Sequence, residues 1–259
     1  MYLSLPFAGK TIWITGGAGY LGTPMTVALD AAGATVFCFD LAGRAEKLVS
    51  EQALSRTTGI TFDFSDAAAL PDLIDATVAR HGVPDGLAHL AFASSAGKRL
   101  EQLLPEEFQR TFDLALTPTF VLCRALAERM KARGSGSIVL FSSMYGVVAP
   151  DPRIYPDPLT PNPIDYGASK AAILQLARYF AVHYGSCGVR FNCVTPGAFP
   201  NPGMQRAQPA FIAELNRKAA LNRIGQNHEI VGPTLFLLGD GASYVTGHSL
   251  VVDGGWTAW

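Results

Sequence analysis

Short apolar runs and longer stretches of helical periodicity take turns along this chain from end to end. Runs at 11–15, 35–39, 58–62, 86–90, 136–142, 188–194 and 249–252 are rich in apolar, β-branched and aromatic residues and read as strands buried on both faces. Between them lie stretches long enough for helices, the longest near 105–132 and 164–187. Strands that alternate with helices in this way are joined by right-handed crossovers, which predicts an α/β fold: a doubly wound parallel sheet flanked by helices on both faces. Neither an internal repeat nor a low-complexity tract interrupts the pattern, so a single domain over residues 1–259 is expected. Sheets of this kind bind their ligands across the carboxyl ends of the strands, where strand order reverses.

Glycine is concentrated at the first of those strand ends. The run T-G-G-A-G-Y-L-G, residues 15 to 22, follows one strand and opens a helix. Gly16 can take the positive φ of a tight turn, Gly19 lets backbone approach a pyrophosphate, and Gly22 lets helix pack on strand, while the new helix offers free N–H groups to phosphate. An ordinary loop is the plainer reading, but Asp40 ends the second strand eighteen residues after Gly22, where a carboxylate would accept hydrogen bonds from ribose hydroxyls. The same carboxylate repels a 2′-phosphate, and Leu41 rather than a basic residue follows it, so NAD is favoured over NADP; Arg44 stands close enough to keep NADP open. The chain therefore reads as a Rossmann-like dinucleotide-binding domain.

Y-G-A-S-K sets Tyr166 and Lys170 four residues apart at the start of a helical run. That spacing stacks them on one face about 6 Å apart along the axis. A nearby cation favours the phenolate, so the lysine is expected to pull the tyrosine below its usual value near 10 and make it a proton donor and acceptor for carbonyl/alcohol redox chemistry. By itself the pair could be an exposed helix contact. Ser142 and Ser143, however, finish the apolar run 137–141 at what reads as a polar mouth.

With these motifs the chain resembles the short-chain dehydrogenase/reductase family over nearly its whole length. Further matches are Asp63-Phe64 after the third strand, where the family contacts adenine, N-C-V-T-P-G at 192–197, and V-V-D-G-G-W at 251–256. The resemblance implies about seven parallel strands and a catalytic set of Ser143, Tyr166 and Lys170. Tyr166 would exchange a proton with the substrate, Ser143 would hold its oxygen, and Lys170 would also bind the nicotinamide ribose. It further implies a cofactor site at Gly16, Gly19, Tyr20, Leu21, Gly22, Asp40, Asp63, Phe64, Ala91, Pro196, Gly197, Phe199 and Asn201, reached also by Tyr166 and Lys170. Asn201 falls where relatives usually carry a Thr or Ser that holds the carboxamide.

Two departures stand out. Ala115 occupies the position of an Asn that in many relatives supports a water leading protons from the lysine. H-L-A-F, residues 89–92, replaces the usual N-N-A-G and, with the T-G-x-x-G-x-x-G spacing, looks more like the extended branch that modifies nucleotide-linked sugars. Two rival readings follow: an NAD-retaining sugar-nucleotide epimerase or dehydratase, and a non-catalytic dinucleotide-binding regulatory module.

The substrate side has its own signals. Six of the 17 prolines fall between Pro150 and Pro163, an insertion that sets Ser143 and Tyr166 23 positions apart. A stiffened loop shaping the substrate site and a tolerated surface loop are both open. A second wall is expected from the loop at about 198–220, through Phe199, Asn201, Met204 and Phe211. Asp151, Arg153, Tyr155 and Asp157 in the insertion point to a small polar secondary alcohol, ketone, sugar or sugar-nucleotide derivative.

Charge and composition narrow the partners. A net charge of −1 and scattered basic residues argue against nucleic acid or an anionic membrane surface. No apolar stretch nears 18 residues, and Met1 to Gly9 lacks the charged start and apolar core of a signal peptide, so a cytoplasmic protein is expected. Cys38, Cys123, Cys187 and Cys193 form no C-x-x-C pair and no metal spacing with the five His, and read as buried thiols. His89, His183 and His228 read as structural. The family commonly pairs its two long helices into homodimers or homotetramers, with Leu174, Ala177, Phe180 and Ala181 as candidate contacts that would serve an intramolecular core equally well, and Trp256 and Trp259 could reach a neighbour or cap their own site.

Overall fold

The two faces of the sheet are written into alternate residues of its inner strands. In β1 (Thr11–Thr15) and β2 (Thr35–Asp40), Trp13, Phe37 and Phe39 enter one apolar cluster, while Ile12, Ile14, Val36 and Cys38 enter another on the opposite side. The structure, a computed structural model, describes residues 7–92 and 97–259. The remaining strands are β3 (Thr57–Thr61), β4 (Gly86–His89), β5 (Gly136–Phe141), β6 (Val189–Pro196) and β7 (Ser249–Val252). All pair in parallel in the order β3-β2-β1-β4-β5-β6-β7, so strand order reverses between β1 and β4. The α/β, Rossmann-like seven-stranded architecture is thus the expected one.

The helices are α1 (Gly22–Ala31), α2 (Arg44–Glu51), α3 (Leu70–His81), α4 (Pro105–Thr111), α5 (Thr117–Arg133), α6 (Ile164–Tyr184), α7 (Pro202–Ala207), α8 (Pro209–Lys218) and α9 (Val231–Leu238). The single helix expected near 105–132 is instead two helices joined by a π turn over Phe112–Leu116. Pro118 accounts for the break: it has no N–H for the carbonyl four residues back, and its ring crowds that carbonyl. The Thr119 hydroxyl donates to the Ala115 carbonyl at 2.7 Å, within this turn.

Helix α6 decides between the two uses open to its apolar face. Leu174, Ala177, Phe180 and Ala181 are buried and belong to the core cluster that includes Leu122, Leu126 and Phe191. They hold α6 against the sheet and α5, and are not available as contacts between copies. The apolar residues that α6 leaves exposed are Ile164, Tyr179 and Val182.

A third, smaller cluster lies beyond the carboxyl ends of β5 and β6. It joins Met144, Tyr145 and Ile154 to Phe211, Leu215, Ile224 and Trp256. Trp256 therefore packs within its own chain, whereas Trp259 is exposed and donates its indole N–H to the Lys218 carbonyl at 3.3 Å.

Candidate functional site

At the end of β1 the chain turns sharply, with Gly16 at φ +68° and the Gly19 N–H donating to the Gly16 carbonyl at 3.1 Å. A Cβ on Gly19 would lie 3.1 Å from that oxygen, and one on Gly22 would overlap it. Gly22 thus allows α1 to start against the turn itself, where close packing of helix on strand was expected. Gly17 has its own role, since a Cβ there would lie 2.6 Å from the Cys38 sulfur.

Asp40, buried at the end of β2, is held in place by this turn. Its Oδ2 accepts from the Ala18 N–H at 2.9 Å and its Oδ1 from the Leu41 N–H at 2.8 Å. Arg44 pairs with the same carboxylate at 3.3 Å and donates to the Ala18 carbonyl at 3.0 Å. A cavity of about 370 Å³ opens beside them, lined also by Gly16, Gly19, Asp63, Phe64, Ala91, Phe92 and Ala115. Asp63 is exposed there and accepts from Ser65, while Phe64 is a buried core residue packed edge-on against Phe39 and Phe62.

A second cavity of about 370 Å³ continues from the first, with Gly16, Gly19, Leu90 and Phe92 lining both. It brings Tyr20, Leu21 and Gly22 of the turn to Ser143, Tyr166 and Lys170, and to Pro196, Gly197 and Phe199 at the end of β6. The two form a trough over the strand ends on both sides of the reversal point. Its glycine turn and buried Asp40 fit a dinucleotide: the side-chain-free turn admits phosphates and the carboxylate can accept from a ribose.

Ser143 follows β5, and the Ser142 hydroxyl ties that strand end to α6 by donating to the Lys170 carbonyl at 2.7 Å. Burial raises the Tyr166 pKa, and a hydrogen bond with Ser143 pulls it partly back. The net shift is therefore upward, not the fall expected from Lys170, whose ammonium lies 5.7 Å from the Tyr166 ring centre. That ammonium donates to the Phe141 carbonyl at 2.9 Å and lies 3.9 Å from the centre of the Phe92 ring, and burial drives its pKa down to about 7. Phe92 in turn meets Tyr166 edge-on, with ring centres 5.4 Å apart.

The two sequence departures are linked through one buried histidine. His89 Nδ1 meets the Thr15 hydroxyl at 2.7 Å and Nε2 the Thr119 hydroxyl at 2.9 Å. Because Thr119 uses its single proton on the Ala115 carbonyl, it must accept from Nε2–H, and Nδ1 then accepts from Thr15. The imidazole is neutral, and burial pushes its pKa down to about 3. His89 therefore ties β1 and β4 to the π turn around Ala115, the structural role expected of it.

A third cavity, about 360 Å³, adjoins the second through Ser143, Tyr166, Gly197 and Phe199. The proline-rich insertion supplies Tyr155, Leu159, Thr160 and Asn162, and the loop after β6 supplies Asn201, Met204 and Phe211. Both walls expected of the substrate site therefore meet here. Asn201 lines this cavity and not the trough, with its amide oxygen accepting from the Met204 N–H at 2.9 Å to cap α7.

The charged residues of the insertion lie elsewhere. Asp151 binds Arg153 at 2.8 Å and Lys218 at 3.0 Å, and Asp157 is exposed beside Arg99. Only Tyr155 of the four proposed for substrate contact reaches the cavity. Sequence reasoning missed Phe92 and Leu90 altogether; the H-L-A-F anomaly was the available signal, but it does not say where a ring at 92 points.

No group of three metal-ligating side chains occurs among the described residues, whose cysteines are free, with Cys187 only half-buried where a buried thiol was expected, and no helix among them is long and apolar enough to cross a membrane. Residues 18–257 match the family model described as enoyl-(acyl carrier protein) reductase. A 2,5-dichloro-2,5-cyclohexadiene-1,4-diol dehydrogenase of Sphingobium indicum is 32% identical over 97% of this chain and 98% of its own. Among solved structures, a short-chain dehydrogenase from Leptospira borgpetersenii with bound NAD+ is 29% identical with a TM-score of 0.84, covering 99% of this chain and 96% of that one. A gluconate 5-dehydrogenase from Burkholderia cenocepacia in complex with NADP and tartrate is 26% identical with a TM-score of 0.86, covering 99% and 98%. The chain belongs to the short-chain dehydrogenase/reductase family.

Proposed function

We propose that this protein is an oxidoreductase acting on a secondary alcohol or ketone with NAD, in preference to NADP, as its redox partner. The observation that carries the reading is the meeting of Ser143, Tyr166 and Lys170 where the trough joins the third cavity. A bound nicotinamide dinucleotide supplies the hydride acceptor or donor. The chain's own residues handle the oxygen and its proton. Ser143 offers a hydroxyl to the substrate oxygen, and Tyr166, kept protonated near neutral pH by burial, delivers its proton to a carbonyl or takes one from an alcohol. Lys170, buried at the same point, supplies positive charge when protonated and so favours the phenolate that delivery leaves.

The preference for NAD rests on Asp40, whose carboxylate would stand against a 2′-phosphate. Arg44 partly neutralises it, which narrows the preference without reversing it. The same reading makes the protein a cytoplasmic homodimer or homotetramer acting on a small molecule, with exposed Tyr179 and Val182 on α6 as supporting surface. Light scattering tests the assembly, and a monomer would remove that part.

The test of the activity is a fluorescence titration with NADH and NADPH, alongside Asp40→Ala and Tyr166→Phe. The expected result is tighter NADH binding that Asp40→Ala loses and Tyr166→Phe keeps, with turnover of alcohols lost in Tyr166→Phe. Binding of neither nucleotide would remove the oxidoreductase reading.

A further inference from the structure

Among the described residues, the lining of the third cavity holds no charged side chain. Its apolar wall is Leu159, Met204, Phe211 and Leu215, and its polar groups are hydroxyls and amides. The charges that the insertion does carry are committed outside it, Asp151 to Arg153 and Lys218, and Asp157 to solvent. A carboxylate or phosphate entering here would lose its water and meet no counter-ion. At about 360 Å³ the cavity also sits at the small end of ligand sites, which run from roughly 300 to 1,000 Å³. That suits a single substituted ring.

One phenolic proton in this wall is left over. The hydroxyls of Tyr145 and Tyr155 lie 2.6 Å apart. Two hydroxyls bring two protons, and the bond between them uses one. Whichever tyrosine donates, the other's proton has no acceptor among the described residues, and both side chains line the cavity. The Tyr155 ring is fixed against Phe211, with centres 4.9 Å apart, so the hydroxyl pair is held at a set place in this wall.

Building on the oxidoreductase reading, we infer that the cavity selects uncharged monocyclic diols and hydroxyketones, whose reacting oxygen meets Ser143 and Tyr166 while a second ring oxygen accepts from the Tyr145–Tyr155 pair. Tyr155, brought in by the insertion, is the specificity-determining residue. Nucleotide-linked sugars are excluded by this reading, because nothing in the wall would pair with their phosphates.

The test compares 1,4-cyclohexanediol, cyclohexanol and 4-hydroxycyclohexanecarboxylate with the full chain, and the same three in Tyr155→Phe and in Tyr145→Phe/Tyr155→Phe. Direct calorimetric binding to the Tyr166→Phe protein loaded with NADH gives a readout apart from turnover. The expected order of kcat/KM is diol above cyclohexanol by about tenfold, with the carboxylate lowest, and the double variant brings the diol down to cyclohexanol through KM. A carboxylate that binds or turns over as well as the diol overturns the inference, as does a diol preference that survives in the folded double variant. Should the double variant fail to fold, the wild-type comparison of diol with carboxylate decides. Nucleotide binding without turnover of any diol defeats this inference and leaves the dinucleotide site standing, whereas absence of nucleotide binding removes the reading beneath it.

Discussion

Lys170 and Phe92 form a cation–π pair in which the ammonium sits 3.9 Å from the ring centre, on the floor of the proposed nicotinamide pocket. The resemblance implies a glycine at the position of Phe92. Here a ring lies over the cation and touches Tyr166 as well. A desolvated pair of this kind is stabilising by about 2 kcal/mol. It offsets part of the cost of burying the ammonium and covers the group expected to hold the ribose.

If the ring is a cover, removing it should help the cofactor. Phe92→Ala is expected to tighten NADH binding by up to about tenfold, the equivalent of roughly 1.4 kcal/mol no longer spent on displacing the ring. Fluorescence titration reads this directly. Weaker binding in the variant would make Phe92 a wall of the site instead.

Lys170 itself is held at the expense of stability. Its pKa falls from an ordinary value near 10.5 to about 7 on folding, so the unfolded chain binds more protons between these values and stability rises with pH across that window. Below it the full cost of burying the charge is present. Lys170→Met is therefore expected to be more stable than the parent at pH 7 without nucleotide, on the order of 2 kcal/mol or several degrees in Tm, while losing catalysis. Calorimetry at pH 7 and pH 9 checks both the sign and its decline, and a variant no more stable at pH 7 would contradict it.

His89 acts at the other end of the pH scale. Its pKa drops from 6.5 to about 3 on folding, so the neutral ring's hydrogen bonds are intact above pH 6.5 and stability is lost as pH falls from there toward 3. The slope from this one group is at most about 1.4 kcal/mol per pH unit. His89→Asn is expected to be less stable at pH 7.5 but to lose less on going to pH 4.5. Urea unfolding at the two pH values measures the difference, and parallel losses in both proteins would place the acid sensitivity in other groups.

What could be read before the structure was whatever chemistry fixes by residue type at a strand end. The glycines of 16–22, Asp40, Ser143, Tyr166 and Lys170 come together along one trough at the strand ends, and strand spacing located the sheet to within a residue or two. Packing was not legible in the same way. Leu174 and Phe180 present one apolar face that would serve a core or a partner equally well, and only the sheet beneath them decides. The π turn at 112–116 hides in a helical pattern because Pro118 is tolerated there. Arg153 looked available until Asp151, two residues away, was seen to hold it. Lys170 shares a helix face with Tyr166, yet its ammonium reaches past the phenol to the Phe141 carbonyl, a partner 29 residues back.

Two glycines with opposite surroundings give the last test. At Gly22 a Cβ would overlap the Gly16 carbonyl oxygen and come within 2.7 Å of the Gly17 Cα, both backbone atoms of the proposed phosphate turn. Neither can yield without opening the turn, so Gly22→Ala is expected to cost about 1–3 kcal/mol and to abolish dinucleotide binding. At Gly185, which closes α6 in the right-handed helical region (φ −59°), an added Cβ meets nothing within 4 Å beyond its own turn, and alanine has less backbone freedom to lose on folding. Gly185→Ala is expected to raise stability by about 0.5–1 kcal/mol and leave binding untouched. Denaturant unfolding and NADH titration on the pair separate the turn's geometry from a general sensitivity to methyl groups. If Gly22→Ala kept nucleotide affinity, the phosphate position over this turn would have to be given up.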